Sequence, residues 1–183
     1  MEVIKRLFGP SKNDVWRQLS AEIGATYVDG GFWKGDKVQA SRGGWTVTLD
    51  TYTVHAGKAT IVYTRMRAPF ANPRGFRFTI YRKGLFSEMA KWLGMQDLQV
   101  GVEPFDEEFI IKGTDEGMVR ALFANPAIRD LIARQKDIHL TVKDDELYFH
   151  VTGIIKDLER LKLLYELFAE TLDQLSHIGA ASR

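Results

Sequence analysis

His139 and His150 are the residues whose type and spacing first suggest chemistry. If Asp144-Asp145 is a two-residue turn, Lys143 pairs with Glu146, Val142 with Leu147 and Leu140 with Phe149, and Ile138 meets Val151. Every apolar residue then lands on one face, and the two imidazoles stand directly opposite on adjacent strands of the other. Opposed imidazoles supply two ligands of a metal site. With nearby acids gathered by the fold, they also suit a small hydrolase or transferase. The plainer alternative is two rings on a polar sheet face that hold no metal. Tyr148 and the acidic turn lie close by, but no third ligand stands out.

A second group is basic. From Thr51 to Ser87 the chain carries seven Lys/Arg and no acid, and Arg65 to Lys83 is its core. Arg65 and Arg67 alternate onto one strand face with Tyr63, and Arg77 shares its parity with Tyr81 on the next strand. Arginine beside aromatic rings on an open sheet binds single-stranded nucleic acid by stacking and phosphate neutralisation. An ordinary exposed sheet face looks the same, and Asp50 lies there to offset charge. In the loop Ala68 to Phe76, stiffened by Pro69 and Pro73, Phe70 is placed either to fill a partner's pocket or to tuck back onto the sheet. The cluster Asp106-Glu107-Glu108 reads as a solvated lead-in to a strand, because consecutive carboxylates point in different directions.

Several strong motifs are absent. There is no G-x-G-x-x-G, no H-E-x-x-H and no calcium loop, and Gly57-Lys58-Ala59 lacks the rest of a phosphate loop. None of the six serines sits in a G-x-S-x-G elbow. Zero cysteines exclude disulfides, thiol catalysis and every Cys-containing metal site. No cofactor is expected.

The elements that must position these residues follow from periodicity. Ser11 caps a helix with Asp14 in its first turn and Val15, Trp16, Leu19 and Ile23 on one face, and Gly24 ends it. From Thr26 to Arg82 the period becomes two, with strands expected near 26–29, 32–34, 37–42, 45–54, 59–67 and 76–82. Pairing Val54 with Ala59 across a four-residue loop sets Leu49 opposite Thr64 and Val47 opposite Met66, with Tyr52 beside Ile61 on the other face. A short helix is expected from Ser87 to Leu93, a strand at Phe109 to Gly113, and helices capped by Asp115 and by Asn125-Pro126. The last element is a helix from about Ile154 to His177, whose Leu158, Leu161, Tyr165, Phe168, Leu172 and Leu175 form an apolar stripe. That stripe either crosses the sheet or forms a dimerising seam.

The chain has 183 residues and ordinary composition, 45% hydrophobic and 27% charged, which suits one globular domain. Two halves, about 11–95 and 96–183, each run helix, strands, helix, so a degenerate duplication is open. The net charge of +1 hides a segregation: residues 1–95 carry 15 Lys/Arg against 7 Asp/Glu, and residues 96–183 carry 10 against 17. Either an anionic partner is implied, or the halves pair with each other. No apolar run approaches the ~18 residues of a membrane span. The N-terminal octet is too short and charged for a signal peptide, so a cytoplasmic, bacterial-type protein is expected.

The segment Phe105-Asp106-Glu107-Glu108-Phe109-Ile110-Ile111-Lys112-Gly113-Thr114-Asp115, with Asn125-Pro126 and the long terminal helix, resembles a bacterial family of proteins of unknown function. In that family an F-D-x-x-F strand and an aspartate-led helix precede a hairpin. The similarity covers mainly residues 100–175. Some relatives carry membrane spans and this chain carries none. The resemblance brings no activity, cofactor or catalytic residue.

The expected fold is therefore α+β: a mainly antiparallel meander sheet packed by helices, closed by a long C-terminal amphipathic helix, with one face partly open. The leading functional reading is a non-enzymatic soluble module that binds a protein partner or itself. Its contact surface would be the open face or the Pro-rich loop. The alternatives are the histidine-centred enzyme and a nucleic-acid or polyanion-binding sheet.

Overall fold

Alternation of large apolar and polar residues, set by glycine turns, produces a single nine-stranded antiparallel sheet. The computed structural model describes residues 9–31, 35–84 and 95–182, with Gln96 by its main chain only. In chain order the elements are α1 (Lys12–Ile23), β1 (Thr26–Val28), β2 (Lys37–Arg42), β3 (Trp45–Ala56), β4 (Ala59–Pro69), β5 (Phe78–Arg82) and β6 (Gln96–Leu98). There follow α2 (Glu103–Glu108), β7 (Phe109–Gly113), α3 (Glu116–Phe123), α4 (Pro126–Ala133), β8 (His139–Lys143), β9 (Glu146–Thr152) and α5 (Leu158–His177). Across the sheet the order is β1-β2-β3-β4-β9-β8-β5-β7-β6, so the first half is a meander and the second is not. The β4–β9 pairing joins the meander to the rest of the sheet, and β5, also from the first half of the chain, lies between β8 and β7 of the second.

One face of the sheet is the core. Trp45, Val47, Leu49, Met66, Phe78, Ile80, Leu140, Val142, Leu147 and Phe149 are buried there. The helices close over it. Ser11 and Asp14 form a reciprocal capping box on α1, and Gly24 ends that helix in the left-handed region. Tyr165 of α5 donates to the Val38 carbonyl at 2.9 Å, and Trp45 donates from Nε1 to Asp173 at 2.9 Å. The apolar stripe of α5 is thus spent on this chain's own sheet, and Leu161, Leu164, Phe168, Leu172 and Leu175 are fully buried.

Several expectations need correction. The β3–β4 hairpin turns at Gly57-Lys58, pairing Ala56 with Ala59 and Leu49 with Met66, two residues away from the four-residue loop expected. Gly57 has a φ of 61°, the conformation a tight turn of this kind asks of its first central residue. A shift of two keeps each side chain on its face, so the core residues are as expected and their partners are not. The acids Glu107 and Glu108 belong to α2, and Asp106 accepts from the main-chain N–H groups of Val100, Gly101 and Val102. The long helix starts at Leu158, capped by Asp157, and leaves Ile154 outside it, 42% exposed. The expected strand 32–34 and the helix Ser87 to Leu93 lie outside the described residues.

Among the described residues, few ion pairs join the basic half to the acidic one. Arg82 with Glu108, and Lys162 with Glu22, are the ion pairs that cross between them among the described residues, and the second runs against the net charges. The others stay within a half, such as Lys12–Asp36 and Arg160–Asp137. Among the described residues no helix is long and apolar enough to cross a membrane.

Candidate functional site

The face opposite the core carries the polar and aromatic side chains in rows across the strands. The register aligns Asp50 with Arg65 and Arg65 with His150, and His139 with Tyr81. One row along, Arg67 faces Tyr148, Tyr148 faces Thr141, and Thr141 faces Thr79. On the other side, Tyr52 faces Tyr63 and then Val54 faces Ile61. Strands put these residues together because every second side chain shares a face.

His139 and His150 do meet, as the Asp144-Asp145 turn implied. His139 Nδ1 and His150 Nε2 lie 3.0 Å apart. His150 Nδ1 is 2.8 Å from the Tyr52 hydroxyl, and His139 Nε2 is 3.2 Å from Thr79 Oγ1. Tyr148 adds a long contact, donating to the Tyr52 oxygen at 3.5 Å. All four ring nitrogens are therefore engaged. Burial, with His150 beside it, pushes His139 down to about 4, and burial depresses His150 too, so both rings are neutral near pH 7. Burial, with Tyr148 next, holds the Tyr52 phenol above its ordinary value.

The nitrogens that would face a shared ion are hydrogen-bonded to each other, and no group of three His, Cys, Asp or Glu suited to a metal occurs among the described residues.

The aromatic rings stack. Tyr52 and Tyr63 have centroids 5.0 Å apart at 12°, and Tyr63 and His150 are 5.6 Å apart at 19°. Arg65 lies over the Tyr52 ring at 5.0 Å, a favourable cation–π contact. It also grips Asp50 with two hydrogen bonds of 2.8 Å, and Arg67 reaches the same carboxylate at 3.2 Å. Asp50 is the main reason the Arg65 guanidinium is held more strongly protonated. Beside the row, β8 and β9 floor a cleft of about 440 Å³ lined by His139, Thr141, Lys143, Asp144, Glu146, Tyr148 and His150. Burial raises the Glu146 carboxyl above its ordinary value.

The rest of the basic–aromatic set is dispersed. Two strands, β9 and β8, separate Arg65 and Arg67 on β4 from Arg77 and Tyr81 beside and on β5. Arg77 is exposed, whereas Tyr81 is only 6% exposed, so it offers no stacking platform. Phe70 is buried, at 6% exposure, and its N–H donates to the Asp145 carbonyl. Asn72 clamps the Pro-rich loop, donating at 2.8 Å to the Phe76 and Asp144 carbonyls. That loop therefore closes the core instead of presenting an anchor. Tyr52 and Thr79 were missed because the shifted hairpin register hid the Tyr52–Tyr63 pair, and nothing local marks Thr79. Aromatics at equal distances from a Gly-Lys turn were the available signal.

No family model matches the chain, and no curated protein matches it. Among solved structures, the crystal structure of the mycobacterial trehalose monomycolate transport factor A, TtfA, aligns with a TM-score of 0.58 at 9% identity. The alignment covers 90% of this chain and 94% of that one. At that identity the two share a fold.

Proposed function

We propose that the chain is a non-enzymatic binding module that meets a protein partner with the open part of its sheet, formed by β3, β4 and β9. The observation that carries this reading is the stacked row Tyr52, Tyr63 and His150, left half-exposed and continued by Ile61 and by Val54, which is 40% exposed. Aromatic rings held flat by their neighbours lose little freedom on binding, which is why such rings anchor interfaces. A protein fits better than a polyanion, because Asp50 already occupies both arginines. The similar fold of a protein titled a transport factor is in keeping with a role other than catalysis.

The test is a photo-cross-linking residue placed at position 61, on the open face, and at position 130, on the exposed side of α4. The reading expects a discrete protein adduct from position 61, none from position 130, and loss of the adduct in Tyr63→Ala. No adduct from position 61 would overturn it. Nucleic acid in the adduct would replace it with the polyanion reading.

A further inference from the structure

A second cavity, of about 440 Å³, lies on the core side of the sheet, where α1 and α5 cross the β2–β3 hairpin. Small side chains leave it open. Ala40 on β2 pairs with Val47 on β3, and Ala169 of α5 lines the same space, so sheet and helix meet there without a large residue between them. Ile23 lines it from α1, and the rings of Trp45 and Tyr165 line it from β3 and α5. The polar atoms of both rings are turned to other partners. Tyr165 donates to the Val38 carbonyl, and Trp45 Nε1 donates to Asp173. The interior therefore offers carbon and asks for an apolar group.

The mouth carries charge of both signs. Lys162 of α5 pairs with Glu22 of α1, and Glu159 holds the same ammonium. Glu166, the next turn of α5, and Arg42, at the end of β2, line the mouth as well, and both are exposed. Among the described residues neither of these two belongs to an ion pair, with each other or with a third residue. An apolar molecule with one charge would answer only one of them. An apolar molecule that carries an ammonium and a carboxylate on the same carbon answers both.

We propose that this cavity binds an apolar α-amino acid: its side chain fills the space between Ala40 and Ala169, its ammonium meets Glu166, and its carboxylate meets Arg42. The site is independent of the open face and of the contact reading. The test is an NMR titration of the full chain with L-leucine, followed at the Trp45 indole N–H, which Trp45→Phe assigns among the four tryptophans. Two analogues run beside it, isocaproate, which lacks the ammonium, and isopentylamine, which lacks the carboxylate. L-leucine should shift the Trp45 signal saturably, and each analogue should bind about ten-fold more weakly, as loss of a charge-assisted hydrogen bond implies. Arg42→Gln should bring L-leucine down to the affinity of the amine, and Glu166→Gln should bring it down to that of isocaproate. Ala169→Leu should abolish the shift by filling the cavity. If that variant does not fold, the two exposed substitutions decide alone. No saturable shift of the Trp45 signal by L-leucine would overturn the proposal, as would a shift that survives in folded Ala169→Leu. Analogues that bind as tightly as L-leucine would overturn the amino-acid assignment.

Discussion

Two hairpins build the site, and they differ in how many of their faces are covered. In β8–β9 the core face is Leu140, Val142, Leu147 and Phe149, all at 0% exposure, and on the reverse face His139 and Thr141 are buried as well. In β3–β4 the strands run on past their neighbours. β2 pairs only as far as Leu49, and β9 only as far as Thr64, with a single further bridge from Tyr63 to Gly153. Beyond that point Thr53 to Thr60 are exposed. The strand β8 is buried on both faces, whereas the far end of β3–β4 is an arm whose aromatic base alone is supported. The difference teaches where stability and contact divide: the covered hairpin fixes the imidazoles, and the uncovered one offers the tyrosines.

The largest effect that would break this division is on the core. Phe149→Ala should lower the unfolding free energy by about 3–5 kcal/mol, as removal of a fully buried aromatic does, whereas Val54→Ala on the arm should stay within about 0.5 kcal/mol. Urea unfolding of both variants measures it, and comparable losses would erase the distinction.

Next comes pH. His139 has a folded value of about 4 against an ordinary 6.5, so the fold favours its neutral form. The contribution is complete above pH 6.5 and is lost as pH falls toward 4. The gap corresponds to about 3 kcal/mol. Unfolding midpoints measured across that window should fall less steeply in His139→Gln than in the parent protein. Equal slopes would place the proton uptake elsewhere.

The smallest effects sit at the two turns. Gly57→Ala should cost about 1 kcal/mol, because a Cβ is placed in the left-handed region. Asp144 already bears that strain at a φ of 54°, so Asp144→Gly should stabilise by about 0.5 kcal/mol. Denaturation midpoints that shift in the opposite directions would contradict the turn geometry.

The same contrast explains what could be read from the sequence. Asp144-Asp145 is a poor turn by composition, yet large apolar residues on both strands allow only one register, and it is the register formed. Between Thr51 and Thr64 the core-facing residues are only Thr51, Thr53, Val62 and Thr64, with none large enough to lock a register, and the Tyr52–Tyr63 pair on the other face was the one signal of it, so parity set the faces and a shift of two went unnoticed. The helix caps at Ser11, Asp115 and Asn125 were legible because each acts within a few residues of itself. The candidate site was legible only in part. His139 with His150 follows from one hairpin, but the link to Tyr52 needs β4 and β9 to be neighbours, and those strands are separated by most of the second half of the chain. Grouping Arg77 and Tyr81 with Arg65 failed for the same reason, since nothing local announces that β8 and β9 insert between them.

The central claim is that the Tyr52–Tyr63–His150 row serves contact rather than folding, and Tyr63→Ala read two ways tests it most directly. The account predicts an unfolding free energy within about 1 kcal/mol of the parent, together with loss of the adduct from position 61. A large loss of stability with the adduct retained would show that the row holds the sheet together, and would contradict the account.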